Sequence, residues 1–182
     1  MAKSRMFYFS VLVSVFMLSG GCATQYQLPA SEPHAKVRFI TTTGGPKRVL
    51  IFENDKCEKG EIGGQIAVVG GLGFTTEENK LNMYDPPTKS LRIREREIRA
   101  NKAVVVAFSI DPSGYTPPIG SCPVSVVFVP KENRQYEVVH TYSTGMCGAA
   151  VVELVKTPDG KISRIREPSA RVLERPCSYS DL

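Results

Sequence analysis

Apolar positions along the chain come in short runs separated by turn residues, and the runs have strand length. Lys36 to Thr42 alternates, with Val37 and Phe39 on one face, and Gly44-Gly45-Pro46 separates it from a second run at Arg48 to Phe52. Ala103 to Ile110 (AVVVAFSI) and Val124 to Val129 (VSVVFV) are rich in β-branched residues, which suit a pleated, packed surface. Pro130-Lys131-Glu132-Asn133 predicts a turn into Gln135 to Tyr142, which makes that strand the hairpin partner of the one before it. Ala149 to Val155 leads through Thr157-Pro158-Asp159-Gly160, a type I turn with Pro at its first corner, into Lys161 to Ile165. No stretch has sustained helical spacing, and only Ser169 to Arg175 suits a short helix. Runs bounded in this way predict an all-β sandwich of about seven to nine mostly antiparallel strands, immunoglobulin- or transthyretin-like.

The first 22 positions break the pattern. Lys3 and Arg5 form a short positive region, Met6 to Leu18 is an apolar run, and Ser19-Gly20-Gly21 precede Cys22. The run is shorter than the roughly 20 residues a membrane-spanning helix needs, so the segment reads as a cleaved export signal. Leu18-Ser19-Gly20-Gly21-Cys22 resembles a bacterial lipoprotein signal with one extra Gly, in which the cysteine is lipidated after cleavage. Ala23 in place of Asp after that cysteine resembles outer-membrane sorting in Gram-negative bacteria. Three regions follow: a signal peptide over 1–21, a lipidated Cys22 with a flexible tether over 22–35, and a single β domain over 36–182. The polar stretch Thr24 to His34, with two prolines, would reach at most about 35 to 40 Å.

The 182 residues carry 23 Lys plus Arg against 18 Asp plus Glu, a net charge of +5. Removing residues 1–21, which hold two bases and no acid, leaves 21 against 18, or +3. The basic balance of the whole chain is therefore weak support for nucleic-acid binding, and no nucleic acid is expected as a partner. Five cysteines are present, and with Cys22 assigned to lipid an even number is left, as expected for an oxidising compartment. Cys57, Cys122, Cys147 and Cys177 allow three pairings. Cys122 and Cys147 each open an apolar run, with one hairpin strand between them, which favours Cys122 with Cys147 and Cys57 with Cys177. A zinc site is disfavoured because His34 and His140 lie far from any paired cysteines, and no metal or cofactor is expected.

Two segments are candidates for function. Gly60 to Gly73 (GEIGGQIAVVGGLG) lacks the spacing of a phosphate-binding loop and reads as an apolar strand or a bulged loop. Its Ile66, Val68, Val69 and Leu72 make a lipid-facing or partner-binding loop the second reading. In Lys89 to Lys102 (KSLRIREREIRANK), an extended chain puts Arg92, Arg94 and Arg96 on one face and Leu91 and Ile93 on the other. With Arg99 these make a cationic stripe suited to lipopolysaccharide or lipid phosphates, or a charge-guarded strand edge. No catalytic constellation emerges: Ser121, Ser125 and Ser143 sit in no nucleophile motif, Asp55, Asp85 and Asp111 lack metal-ligand spacing, and His140 falls inside a strand. The chain is therefore read as a non-enzyme.

Lys80-Leu81-Asn82-Met83, Glu97-Ile98, Cys122, Phe128-Val129-Pro130, Tyr136-Glu137-Val138 and Cys147 occur in that order. This resembles a group of small, uncharacterised bacterial lipoproteins whose later half carries a Cys, Phe-x-Pro, Tyr-Glu-Val, Cys module. The likeness covers about residues 80–155 and departs at Met83-Tyr84, where the group has Pro after Met. It brings no activity with it. It implies that the two later cysteines lie at sheet ends, where a bridge ties the Tyr136 hairpin to the next strand, and Tyr136 is expected to pack on Phe128. The expectation is a lipid-anchored, palmitate-bearing protein of the outer membrane, facing the periplasm. Its contact would be another envelope protein, lipopolysaccharide or peptidoglycan. The alternative is an inhibitor or immunity-type lipoprotein that blocks a lysozyme or toxin with Gly60 to Gly73 or Ser113 to Ser121.

Overall fold

A computed structural model of the chain describes residues 25–42, 47–69, 81–85, 92–110, 122–144 and 146–182. Its strands are β1 (His34–Thr41), β2 (Lys47–Phe52), β3 (Gly64–Val69), β4 (Arg92–Arg99), β5 (Val104–Ile110), β6 (Val124–Phe128), β7 (Gln135–Ser143), β8 (Met146–Lys156), β9 (Ile162–Arg166) and the two-residue β10 (Arg171–Val172). They form two five-stranded sheets, ordered β4-β1-β7-β8-β9 and β10-β6-β5-β2-β3. Every pairing is antiparallel except that of β1 with β7. The all-β sandwich expected from the runs is the fold observed.

The sheets bury their facing sides against each other. Val37 and Phe39 of β1, Tyr136 and Val138 of β7 and Val151 of β8 meet Val49, Ile51, Val106, Phe108, Val126 and Phe128 of the second sheet in one core. The Phe128 and Tyr136 rings pack across the sandwich at 5.5 Å, as expected, and the buried Tyr136 hydroxyl accepts a hydrogen bond from the Lys131 amide. The second sheet is covered on its other face too. Leu50, Phe52, Val105, Ala107 and Val127 lie under Leu173 and the buried Cys57 and Cys177. Burial on both faces is why β5 and β6 read as unbroken apolar runs while β1 alternates.

Three connections differ from expectation. Pro130 to Asn133 does not close a hairpin, because β6 and β7 lie in different sheets and the chain crosses between them there. Ser169 to Arg175 is not helical: Arg171 and Val172 pair with Val127 and Val126, and the Leu173 amide donates to Ser125 O. A seven-residue helix is marginal on its own, and the open edge of β6 offers better-satisfied main chain. Residues 25–33, expected as free tether, are attached to the domain. Gln25 bridges to Gln65 beside β3, the Tyr26 amide donates to Gln65 O, and Tyr26 is buried in the core with Leu28 packed against it. The glycines of 60–73 act as punctuation: Gly60 adopts a left-handed φ of 63°, and a Cβ at Gly63 would run into the Lys59 carbonyl. The rest of that segment as described is strand β3, and 70–73 lie outside the described residues, as does the Ser113 to Ser121 loop.

Candidate functional site

The outer face of the first sheet carries a buried ionic cluster. In β1 the residues facing away from the core include Arg38, and register places Glu95 of β4 on one side of it and Glu137 of β7 on the other. Arg38 is fully buried and donates from Nε to Glu95 Oε1 at 2.9 Å and from Nη1 to Glu137 Oε1 at 2.7 Å. Arg164 of β9 approaches from solvent, donating to Glu137 Oε2 at 2.8 Å and to Asp85 Oδ2 at 2.7 Å, and these acceptors raise its pKa above the usual guanidinium value.

Over this cluster lies residues 81–85, whose main chain is held at almost every turn. Arg38 donates to the Tyr84 and Asp85 carbonyls, Lys36 to the Leu81 carbonyl, while Glu95 Oε2 accepts from the Leu81 amide at 2.6 Å and Gln135 Oε1 from the Tyr84 amide at 2.7 Å. Asn82 and Asp85 supply the left-handed turns that fold the segment down, a conformation Asn and Asp tolerate better than most residues. All four carboxylate oxygens of Glu95 and Glu137 are occupied, so the cluster has no free base to offer a substrate. It works as a clamp on main chain, and buried charges are kept because each is paired.

The expected cationic stripe is dismantled by the same register. Arg94 and Arg96 pair with Phe39 and Val37, so they share the inner face of the first sheet rather than an open one. Arg94 is buried, and half-buried Arg96 reaches across the gap between the sheets to donate to Ile66 O of β3 at 3.1 Å. Burial, and then neighbouring Arg94, push the Arg96 pKa down. Arg99 belongs to the other face and is buried too, with Glu32 Oε2 at 3.1 Å and Glu53 Oε1 at 3.2 Å from its guanidinium. Its amide donates to the Tyr26 hydroxyl at 2.9 Å, and burial pushes the pKa of that phenol up to about 12. Arg92 lies at the start of β4, opposite Thr41. Arg96 thus seals the β3–β4 side of the sandwich, and Arg99 stitches residues 25–33 down.

His140 is fully buried on the inner face of β7, stacked on Phe108 at 5.1 Å. Its Nε2 lies 3.0 Å from Cys122 O and its Nδ1 3.2 Å from the Thr41 hydroxyl, a pattern satisfied by a neutral ring that donates from Nε2 and accepts at Nδ1. Burial lowers its pKa and nearby Lys47 adds to the effect, while the bond to Cys122 O opposes them. His34 stands at the surface, 3.9 Å from Glu97. Among the described residues no group of three or more His, Cys, Asp or Glu could hold a metal ion, and no helix is long and apolar enough to cross a membrane.

The cysteines pair as favoured from sequence, Cys57 with Cys177 and Cys122 with Cys147. The second bond joins the segment before β6 to β8, so it ties the two sheets together instead of joining neighbours within one sheet. The residues missed from sequence are Tyr26, Arg38, Glu95, Glu137 and Arg164. Arg38 and Glu137 did leave a signal, each a charge within an apolar strand at the position opposite to the core face. Comparison with protein-family models, curated proteins and solved structures finds no match for the chain.

Proposed function

We propose that the protein is a lipid-anchored, non-enzymatic component of the Gram-negative envelope with a structural or binding role. It is held at the outer membrane through acylated Cys22, faces the periplasm, and contacts another envelope component there. The observation that carries this reading is cysteine bookkeeping: the chain has five cysteines, and Cys57, Cys122, Cys147 and Cys177 are used up in two disulfides. Cys22 is left without a cysteine partner, as lipid attachment requires, and paired cysteines suit an exported domain. The likeness of residues 80–155 to small bacterial lipoproteins supports the same assignment. The buried histidine and the saturated carboxylates of the clamp favour a binding role over chemistry.

Of the two loops the inhibitor reading names, Gly64–Val69 of the first is strand β3, and Ser113 to Ser121 lies outside the described residues. Labelling cells with radioactive palmitate tests the anchor. Wild type should carry label and fractionate with outer membranes, and Cys22→Ser should lose both properties. Label retained by Cys22→Ser would overturn the assignment.

A further inference from the structure

The two lateral sides of the sandwich are unlike. Arg96 closes the β3–β4 side, but among the described residues the opposite side, between β8 and β10, is left uncovered. β9 covers the edge of β8 only from Val152 to Lys156, so Met146 to Val151 pair with β7 alone. The Glu167 amide donates to Val151 O at 3.0 Å, and in an antiparallel ladder alternate residues face the same neighbour. Cys147 and Ala149 therefore turn their N–H and C=O groups away from β7, and no described residue bonds to them there. Beside this edge runs a slot of about 340 Å³ between the layers, lined by Ala149 and Val151 of β8, Val126 of β6 and Val172 of β10, with Arg166 and Arg171 at its rim. Val172, one of the large apolar residues exposed among those described, lines it.

Sheet edges of this kind are normally blunted by charge, proline or a covering loop. Met146-Cys147-Gly148-Ala149-Ala150-Val151-Val152 has no charge and no proline, and its small side chains leave the slot unfilled. We propose that this edge is a docking site for an extended segment of a partner protein. The segment adds as a strand alongside β8, in line with β9, and places alternate small or β-branched side chains in the slot. Charge selects the partner's chemistry. Arg166 is exposed and makes no ion pair among the described residues, whereas Arg171 is paired with Asp55. The incoming strand therefore carries an acidic side chain, or its own carboxylate end, against Arg166. A second copy of this chain fits worse, because its edge brings the same arginines and no acid between Met146 and Val152.

The inference deepens the binding role proposed above and does not depend on the anchor, so its test leaves Cys22 intact. The full chain, in detergent with both disulfides formed, is titrated with fluorescein-labelled heptapeptides of alternating Val and Thr carrying one Glu at each position in turn. Counterparts N-methylated at alternate amides serve as controls. Glu-bearing peptides should bind and slow hydrogen exchange at the Cys147 and Ala149 amides, and N-methylation should remove both effects. Arg166→Glu should weaken binding about tenfold or more, since it replaces the attraction with repulsion. Ala149→Pro should abolish it, and if that variant misfolds, exposed Arg166→Glu keeps the test open. Absence of binding across the set, binding indifferent to N-methylation or to Arg166→Glu, or protection of these amides that rises with protein concentration alone would each overturn the proposal, the last by giving the edge to a second copy.

Discussion

At position 140 strand alternation puts a histidine opposite Val139 and Thr141, and sequence alone goes no further, because either face of β7 could have been the core face. The register with β1 decides it by pairing His140 with Thr41 on the side of Val37 and Phe39. A neutral buried ring has a consequence for stability. The unfolded chain takes up a proton near pH 6.5, while burial holds the folded-state pKa below that value, so below about pH 6.5 the unfolded state binds more protons. Stability should therefore fall as pH drops through 6.5, by up to about 1.4 kcal/mol per pH unit, until the folded pKa is reached. Thermal melts between pH 7.5 and 5 should show this slope in wild type and a shallower one in His140→Gln. The variant should also lose about 1 to 3 kcal/mol at pH 7.5, because it cannot satisfy both Cys122 O and the Thr41 hydroxyl. An unchanged slope would mean that the ring is not the titrating group.

Strand lengths are legible in β5, β6 and β9, which fall within a residue or so of expectation, whereas β8 starts at Met146, three residues ahead of the expected Ala149. Which sheet each strand joins is not legible. Pro130 to Asn133 has the residues of a tight turn whether the chain doubles back or crosses over. Likewise, the spacing of Arg92, Arg94 and Arg96 in β4 predicts an open cationic stripe, because nothing in it tells of Phe39 and Val37 beside them. Arg38 shows the same limit. It sits where alternation predicts an exposed position, and only the docking of residues 81–85, distant in sequence, buries it. Removing its charge leaves Glu95 and Glu137 buried and short of donors, which costs about 3 to 5 kcal/mol where a buried pair loses one member. Arg38→Met should accordingly lower the urea midpoint by that equivalent and free residues 81–85 to exchange and proteolysis. Adding Glu95→Gln and Glu137→Gln should return part of the loss, since neutral amides tolerate burial without an ionic partner. A single variant as stable as wild type would show the cluster to be dispensable.

For the whole molecule, the distance that acylation at Cys22 would leave between bilayer and domain depends on one docked segment. An undocked chain from Cys22 to β1 reaches up to about 40 Å, but Gln25, already bonded beside β3, is three residues from Cys22 and so within about 11 Å of it. An acylated Cys22 would thus hold the β3 edge of the sandwich against the bilayer. The segment stays down against a backbone entropy cost of about 1 to 2 kcal/mol per ordered residue. The burial of Tyr26 and Leu28, the bridge to Gln65, the Arg99 contact with Glu32 and the Ala100 amide bond to Pro33 O together offset that cost. Tyr26 is the largest single contributor, since truncating a buried aromatic costs about 3 to 5 kcal/mol. Tyr26→Ala should release residues 25–33 while leaving both sheets folded, and neutron reflectometry of the acylated protein on a supported bilayer can read the result. The gap between bilayer and protein layer should widen from about 10 Å toward the roughly 20 to 40 Å that a flexible stretch of this length spans. Tyr26→Phe keeps the ring and loses the bond from the Arg99 amide, so its gap should stay narrow. If Tyr26→Ala leaves the gap narrow as well, the sandwich is held at the membrane by its own surface and not by the leash.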